Sequence, residues 1–97
     1  MFLPASALRL LERADPRSLV VDLAACDSYR GAPDSAGKIR CPVLLVLGGE
    51  DRMTPAGRGR SFAASLADAR VTVLPGAGHM LTIEEPAAVL AALRTVL

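Results

Sequence analysis

Two residues of this sequence, Asp51 and His79, have the types and surroundings of an acid–base pair. His79 is the only histidine in the chain, and it follows the glycine-rich segment 75–78, Pro-Gly-Ala-Gly. Asp51 follows an apolar run that ends in two glycines, 48–49. A carboxylate that binds one imidazole nitrogen fixes the tautomer and leaves the other nitrogen free to act as a general base near neutral pH. The sequence therefore predicts general-base chemistry at His79, oriented by Asp51.

Two apolar segments place this pair. Residues 39–47 and 69–74 are largely apolar at consecutive positions, a pattern typical of strands buried on both faces of a parallel sheet. Between them, Thr54-Pro55 indicates a helix start with Thr54 as N-cap, and we expect a helix from about residue 57 to 66. Parallel strands joined by a helix end at the same edge of the sheet, so the two residues can meet in space.

The other segments are predicted to be helical or irregular. Short helices are expected over residues 4–13 and 15–29, and a linker rich in Gly, Pro, Ser and Asp over residues 31–38. Glu84 and Glu85 precede Pro86 as helix-start acids of a last helix that runs to the end of the chain. The predicted fold class is α/β: a helical segment 1–30, a linker, and a βαβ unit of two parallel strands plus a C-terminal helix over 39–97.

Composition excludes several classes of function. The 97 residues carry a net charge of +1 without a basic block, so we expect no nucleic-acid partner. The longest apolar run is far shorter than the roughly 20 residues of a membrane span, and residues 1–4 lack the features of a signal peptide, so we expect no membrane association. Cys26 and Cys41 have no metal-ligand spacing and are predicted to be reduced structural thiols of a cytoplasmic protein, with Cys41 in the core. We expect no metal and no cofactor.

The strings around the pair resemble a known family. Residues 41–55, Cys-Pro-Val-Leu-Leu-Val-Leu-Gly-Gly-Glu-Asp-Arg-Met-Thr-Pro, resemble the acid-bearing strand and loop of the α/β-hydrolase superfamily. Residues 71–80, Val-Thr-Val-Leu-Pro-Gly-Ala-Gly-His-Met, resemble its last strand and catalytic-histidine loop. The resemblance implies a partial α/β-hydrolase fold, in which Asp51 is the triad acid and His79 the base. Glu50 is an alternative acid, and residues 1–30 resemble the end of a cap region.

One departure from the family pattern concerns the nucleophile. The family places it in a Gly-x-Ser-x-Gly elbow that precedes the acid and the histidine in the chain. No pair of glycines in this sequence brackets a Ser, Cys or Asp in that way, and no oxyanion loop is present. The resemblance therefore implies a truncated hydrolase that is inactive alone and acts on a small-molecule substrate only when a missing core completes it. Ser, Cys and Asp stay open as nucleophiles.

Other interpretations of the same residues are simpler. His79 can be a surface loop residue, Met53 and Met80 can be packing residues, and Arg52 can be a solvated charge that lowers the pKa of Asp51. The chain can also be a non-catalytic remnant or interaction module that self-associates through an unpaired strand edge. A small βαβ binding domain unrelated to hydrolases is disfavoured, because no glycine-rich phosphate loop has a recognised spacing.

Overall fold

The structure, a computed structural model, describes residues 5–97. It is a mixed α/β arrangement with two parallel strands and several helices, which confirms the predicted fold class. The elements in chain order are α1 (Ala5–Arg13), α2 (Pro16–Ser28), α3 (Ala32–Ala36), β1 (Val43–Gly48), α4 (Ala56–Ala63), β2 (Ala69–Leu74), α5 (Leu81–Glu84) and α6 (Pro86–Arg94). They form two compact units that divide between Gly31 and Ala32.

The first unit contains α1 and α2. The start of α2 follows the predicted signal, because the Asp15 carboxylate accepts a hydrogen bond from the Arg17 backbone N–H at 2.9 Å and Pro16 occupies the first turn. Pro4, which was predicted for the first turn of α1, lies outside the described residues. None of the helices over residues 5–97 is long and apolar enough to cross a membrane.

The second unit is built on the two-stranded sheet. The strands pair in parallel from Val43 opposite Ala69 to Gly48 opposite Leu74. Strand β2 has the predicted bounds, whereas β1 begins at Val43 and not at residue 39. The later start has two causes: the Ile39 N–H bonds the carbonyl of Ala36 in a turn, and Pro42 has no N–H to offer a ladder.

The strands are less buried than their apolar sequences predicted. All residues of β1 before Gly48 are half-buried, as are most of β2. Helix α4 packs against both strands and α6 packs against β1. The prediction of strands covered on both faces was therefore wrong for this chain, because within residues 5–97 each strand has one neighbouring strand and few covering side chains. The buried apolar residues are Ala36, Leu66, Ala77, Val89 and Ala92.

Three local predictions also differ from the structure. The expected linker 31–38 contains α3, whose Ala36 is only 1% exposed and thus anchors this segment to the second unit. Cys41, predicted in the core, is exposed because it precedes the strand; Cys26 is exposed as well. The last helix, predicted from Glu84 to the end of the chain, is α6 over Pro86–Arg94, and the short helix α5 before it was not predicted; the non-helical backbone of Glu85 separates the two.

Candidate active site

The parallel register brings two loops to the same level of the sheet. Strands β1 and β2 end opposite one another at Gly48 and Leu74. The N–H of Gly49 then donates to the carbonyl of Leu74 at 2.9 Å, and the N–H of Glu50 donates to the carbonyl of Ala77 at 2.9 Å. These backbone hydrogen bonds join the loop after β1 to the loop after β2, so the side chains that follow are held side by side.

Gly48 permits this close contact between the loops. A Cβ atom placed on Gly48 would lie 2.6 Å from the carbonyl oxygen of Ala77 and would also overlap the carbonyl oxygen of Gly78. Ala77 itself is fully buried at the junction. The glycine is thus required here by the approach of backbone to backbone.

The structure brings Asp51 and His79 into hydrogen-bond contact. Nδ1 of the His79 ring lies 3.0 Å from Oδ2 of Asp51, across 28 residues of sequence. The Asp51 side chain is 8% exposed, whereas that of His79 is 32% exposed. A ring that donates from Nδ1 to a carboxylate keeps its Nε2 lone pair available for a reacting group. Glu50, the alternative acid, is exposed and contacts this region through its backbone.

The Asp51 carboxylate is ionised throughout the neutral pH range. Burial raises the pKa of Asp51, but hydrogen bonds outweigh it and lower the pKa from 3.8 to about 2. They come from the Thr54 N–H, the His79 ring, the Thr54 hydroxyl and the Met53 N–H. Arg52, which the sequence suggested as a cause, is exposed, and hydrogen bonds account for the lowering. The pair is therefore an imidazole held by a carboxylate anion.

Thr54 is a site residue that the sequence assigned elsewhere. It was predicted to cap α4, but that helix has Pro55 at its N-cap position and no side-chain cap. The Thr54 hydroxyl instead donates to Oδ2 of Asp51 at 2.9 Å and lies 3.4 Å from Nδ1 of His79. The N–H groups of Met53 and Thr54 both donate to Oδ1 of Asp51 at 2.9 Å. The Asp-x-x-Thr spacing could have indicated this turn, because Asp side chains commonly bind N–H groups two and three residues on.

Glu84 is the second residue whose part in the site the sequence did not predict. Its carboxylate accepts hydrogen bonds from the N–H of Gly78 and the N–H of Met80, on either side of His79. Met80 is the N-cap residue of α5, and Glu84 lies one position beyond the third helical residue at which a capping box places its glutamate, so no standard spacing indicated this contact. The interpretation of Glu84 as a helix-start acid of the last helix was wrong.

Metal ligation has no candidate at this site. Within the described part of the chain, no group of three or more His, Cys, Asp or Glu side chains is placed to hold a metal ion. The chemistry available from the described side chains is proton transfer at His79, supported by the Asp51 anion.

Comparison with known proteins agrees with this geometry. A family model described as the alpha/beta hydrolase family matches residues 2–93. The chain is 40% identical over 73 residues to a pimeloyl-[acyl-carrier protein] methyl ester esterase of Chromobacterium violaceum, a match that covers 75% of this chain and 22% of that protein. The chain thus spans about a fifth of the length of the curated relatives it matches.

Solved structures give the same result. A hydrolase from Pseudomonas aeruginosa PA01 is similar with a TM-score of 0.66 and 29% identity, over 97% of this chain and 39% of that one. A predicted CIB-like hydrolase from Thermoplasma acidophilum is similar with a TM-score of 0.59 and 28% identity, over 66% of this chain and 33% of that one. The family match over nearly the whole sequence and the paired strand-end loops lead to one assignment: this chain belongs to the α/β-hydrolase family.

Proposed function

We propose that this chain provides the acid and the base of an α/β-hydrolase active site, with His79 as general base and Asp51 as the acid that orients it. The observation that carries the proposal is the 3.0 Å contact between Nδ1 of His79 and Oδ2 of Asp51. The nucleophile comes from residues outside these 97, because the sequence contains no Gly-x-Ser-x-Gly elbow. In this proposal the chain is a truncated hydrolase and is inactive alone.

The proposed reaction is hydrolysis of an ester through an acyl-enzyme. Nε2 of His79 removes the proton of a serine hydroxyl while that oxygen attacks the ester carbonyl, and the imidazolium then gives the proton to the leaving alcohol. Water repeats the sequence to release the acid product. The Asp51 anion stabilises the imidazolium in both steps. The methyl ester esterase among the relatives supports an ester as the substrate class, whereas Cys and Asp nucleophiles stay open.

The proposed hydrolase acts in the cytoplasm on a small-molecule substrate. Cys26 and Cys41 are free thiols, which fits a reducing compartment such as the cytoplasm. The half-exposed ring of His79 fits a small-molecule substrate bound beside it once the missing core is present.

A chimera tests the proposed role of the pair. In the Pseudomonas aeruginosa hydrolase, the segment that this chain matches, 39% of that chain, is replaced by the present sequence. Hydrolysis of p-nitrophenyl acetate is measured for the chimera and its variants, after the parent has been found active on this ester. We expect His79→Ala and Asp51→Asn to lower kcat/KM by about 10²–10⁴-fold. Glu50→Gln, which changes the neighbouring exposed acid, should leave the rate unchanged.

Three outcomes of this assay would contradict the proposed roles of His79 and Asp51. A chimera that folds, by circular dichroism, but does not hydrolyse the ester would contradict the assignment of this chain as donor of the base. Activity that survives His79→Ala would contradict it as well. Loss of activity in Glu50→Gln but not in Asp51→Asn would transfer the role of the acid to Glu50.

A second candidate function is self-association without catalysis. Within the second unit, each strand of the sheet is paired along one edge only, and the apolar residues of β1 are half-exposed. Unpaired, apolar strand edges pair readily with other chains. Analytical ultracentrifugation over a hundredfold concentration range tests this function. A stable monomer at all concentrations would count against it, and a discrete concentration-dependent dimer would support it.

The mass of the native protein in its source cells separates the two candidates. An antibody against α6 should detect a band roughly three times larger than this chain if the chain is part of a complete hydrolase domain. A band near 10.1 kDa would favour the self-associating module.

A further inference from the structure

We propose that Glu84 is the positioning residue of the histidine loop, and that its carboxylate fixes the location of the His79 ring beside Asp51. This inference rests on the proposed function, since it assigns a role to Glu84 at the same site. Glu84 does not touch the imidazole, and it acts through the backbone on both sides of His79.

The contacts of Glu84 enclose His79 in sequence. Oε1 accepts the N–H of Gly78 at 2.8 Å, and Oε2 accepts the N–H of Met80 at 3.0 Å. Each carboxylate oxygen therefore binds one of the two residues next to His79. Hydrogen bonds from N–H groups to an ionised carboxylate are shorter and stronger than neutral ones, so this pair of bonds restrains the loop more than two ordinary contacts would.

A second set of bonds fixes Glu84 itself. The backbone N–H of Glu84 donates to the carbonyl of Met80 at 2.9 Å, while the Glu84 side chain accepts from the N–H of Met80. The two residues thus bind each other in both directions across α5. The helix α5 thus fixes the position of the Glu84 carboxylate, and the carboxylate in turn restrains the loop at Gly78 and Met80.

The absence of a side chain at Gly78 leaves room for the Glu84 carboxylate. A Cβ atom on Gly78 would lie 3.1 Å from one carboxylate oxygen of Glu84 and 3.2 Å from the other, which is a tight contact. Gly78 is also buried, so its N–H has limited access to water. Loss of the carboxylate would leave a buried donor without its partner, which is a costly arrangement.

The site needs such a restraint because the His79 ring has hydrogen-bond contacts at one of its two nitrogens only, among the described residues. The His79 side chain is 32% exposed, and its hydrogen-bond contacts among the described residues are Asp51 and Thr54, both on Nδ1. The loop after β2 is joined to the loop after β1 through the carbonyl of Ala77, which lies before His79. Glu84 binds the backbone on both sides of the histidine. Because a displacement of about 1 Å can cost a hundredfold in rate, such a restraint has a consequence for catalysis.

The test uses the nitrogen-15-labelled 97-residue chain and the matched pair Glu84→Gln and Glu85→Gln. Glutamine has nearly the shape of glutamate but only one acceptor oxygen, so Glu84→Gln can retain at most one of the two bonds. Glu85 is the adjacent exposed acid, and its side chain makes no cap hydrogen bond. We expect Glu84→Gln to increase amide exchange at Gly78 or Met80 by about tenfold and to reduce the fraction of His79 protonated at Nδ1. Glu85→Gln should leave both quantities as in the wild type.

The outcomes separate this inference from the proposed hydrolysis. Unchanged exchange and an unchanged tautomer in Glu84→Gln would overturn the positioning role, as would equal effects of Glu85→Gln. If Glu84→Gln does not fold, Glu84→Asp, which keeps the charge on a shorter side chain, is measured by the same two readouts. An unchanged result in that variant would likewise overturn the role. Neither readout requires turnover, so an inactive chimera would remove the hydrolytic function and leave the restraint of His79 intact.

Discussion

A Cβ atom on Gly48 would lie 2.6 Å from the carbonyl oxygen of Ala77, so the loop after β1 and the loop after β2 meet at a point where a side chain cannot fit. The contact is formed by two backbones and lies shortly before Asp51 in one loop and His79 in the other. The distance between Asp51 and His79 therefore depends on Gly48, a residue without a side chain.

Substitution of Gly48 should separate the loops. Gly48→Ala places a methyl group against the carbonyl oxygens of Ala77 and Gly78, which are backbone atoms and cannot rotate away. We expect a loss of about 1–3 kcal/mol in the free energy of unfolding, measured by urea denaturation. Gly57→Ala is the matched control, because a Cβ atom there meets nothing within 4 Å and the residue lies in α4.

The control should change stability in the opposite direction. Alanine loses less conformational freedom than glycine in a helix, so Gly57→Ala should stabilise the chain by roughly 0.5–1 kcal/mol. Equal unfolding midpoints for Gly48→Ala and the wild type would contradict the importance of the loop contact.

Acid should destabilise the chain through Asp51. The pKa of this carboxyl falls from 3.8 to about 2 on folding, so the unfolded chain binds its proton first as the pH falls. The stability from this group is complete above about pH 4 and is lost between about pH 4 and pH 2, because the folded pKa is the lower one. Since water reaches the His79 side of the site, we expect a contribution on the order of 1 kcal/mol.

Asp51→Asn isolates this contribution. The variant should lose the corresponding part of the slope of stability against pH in that window, measured by urea denaturation at several pH values. Asp22→Asn on α2, an exposed acid, should keep the slope. A wild-type slope in Asp51→Asn would show that Asp51 titrates alike in the folded and unfolded chain.

Thr54 should influence the carboxylate through its hydroxyl. Thr54→Val keeps the backbone N–H that donates to Oδ1 of Asp51 and removes the hydroxyl that donates to Oδ2. Because a hydrogen bond to the charged form lowers an acid's pKa, its removal should raise the pKa of Asp51. The measurement is carbon-13 NMR of the side-chain carboxyl during titration. Thr82→Val, at an exposed position of α5, is the control and should leave the Asp51 titration unchanged.

The 97-residue chain alone should show little ester hydrolysis. It contains a candidate base but no nucleophile elbow, and the hydroxyl of Ser61, within α4, donates to the carbonyl of Gly57. We expect hydrolysis of p-nitrophenyl acetate by wild-type chain and His79→Ala to differ by less than about twofold. Robust turnover that depends on His79 would mean that a nucleophile is present in this chain.

The sequence predicted the parts of the fold that depend on local pattern. Consecutive apolar residues and the breaks after them located β2 and the end of β1, and the family strings located Asp51 and His79. Both residues follow parallel strands, and such strands end at one edge of a sheet, so the sequence alone was enough to expect their proximity. The start of β1 was misplaced because Ile39 and Cys41 extend the apolar run in sequence, yet residues 39–42 have no partner on β2.

The sequence predicted less where a side chain had more than one available partner. Thr54 precedes a proline and resembles a helix cap, yet the nearby carboxylate of Asp51 is the partner that it binds. Glu84 precedes Pro86 and resembles a helix-start acid, yet two N–H groups of the histidine loop lie within its reach. The choice between such partners depends on tertiary distances, which local propensity does not contain.

The tautomer of the neutral His79 ring shows whether Asp51 orients the base. His79 is the only histidine in the chain, so its ring nitrogens can be assigned without ambiguity in a nitrogen-15 NMR spectrum of the neutral imidazole. The 3.0 Å contact predicts that the proton resides on Nδ1 in the wild type and that this preference is lost in Asp51→Asn. A wild-type ring protonated mainly on Nε2, or a tautomer that Asp51→Asn does not change, would contradict the role of Asp51 in orienting His79.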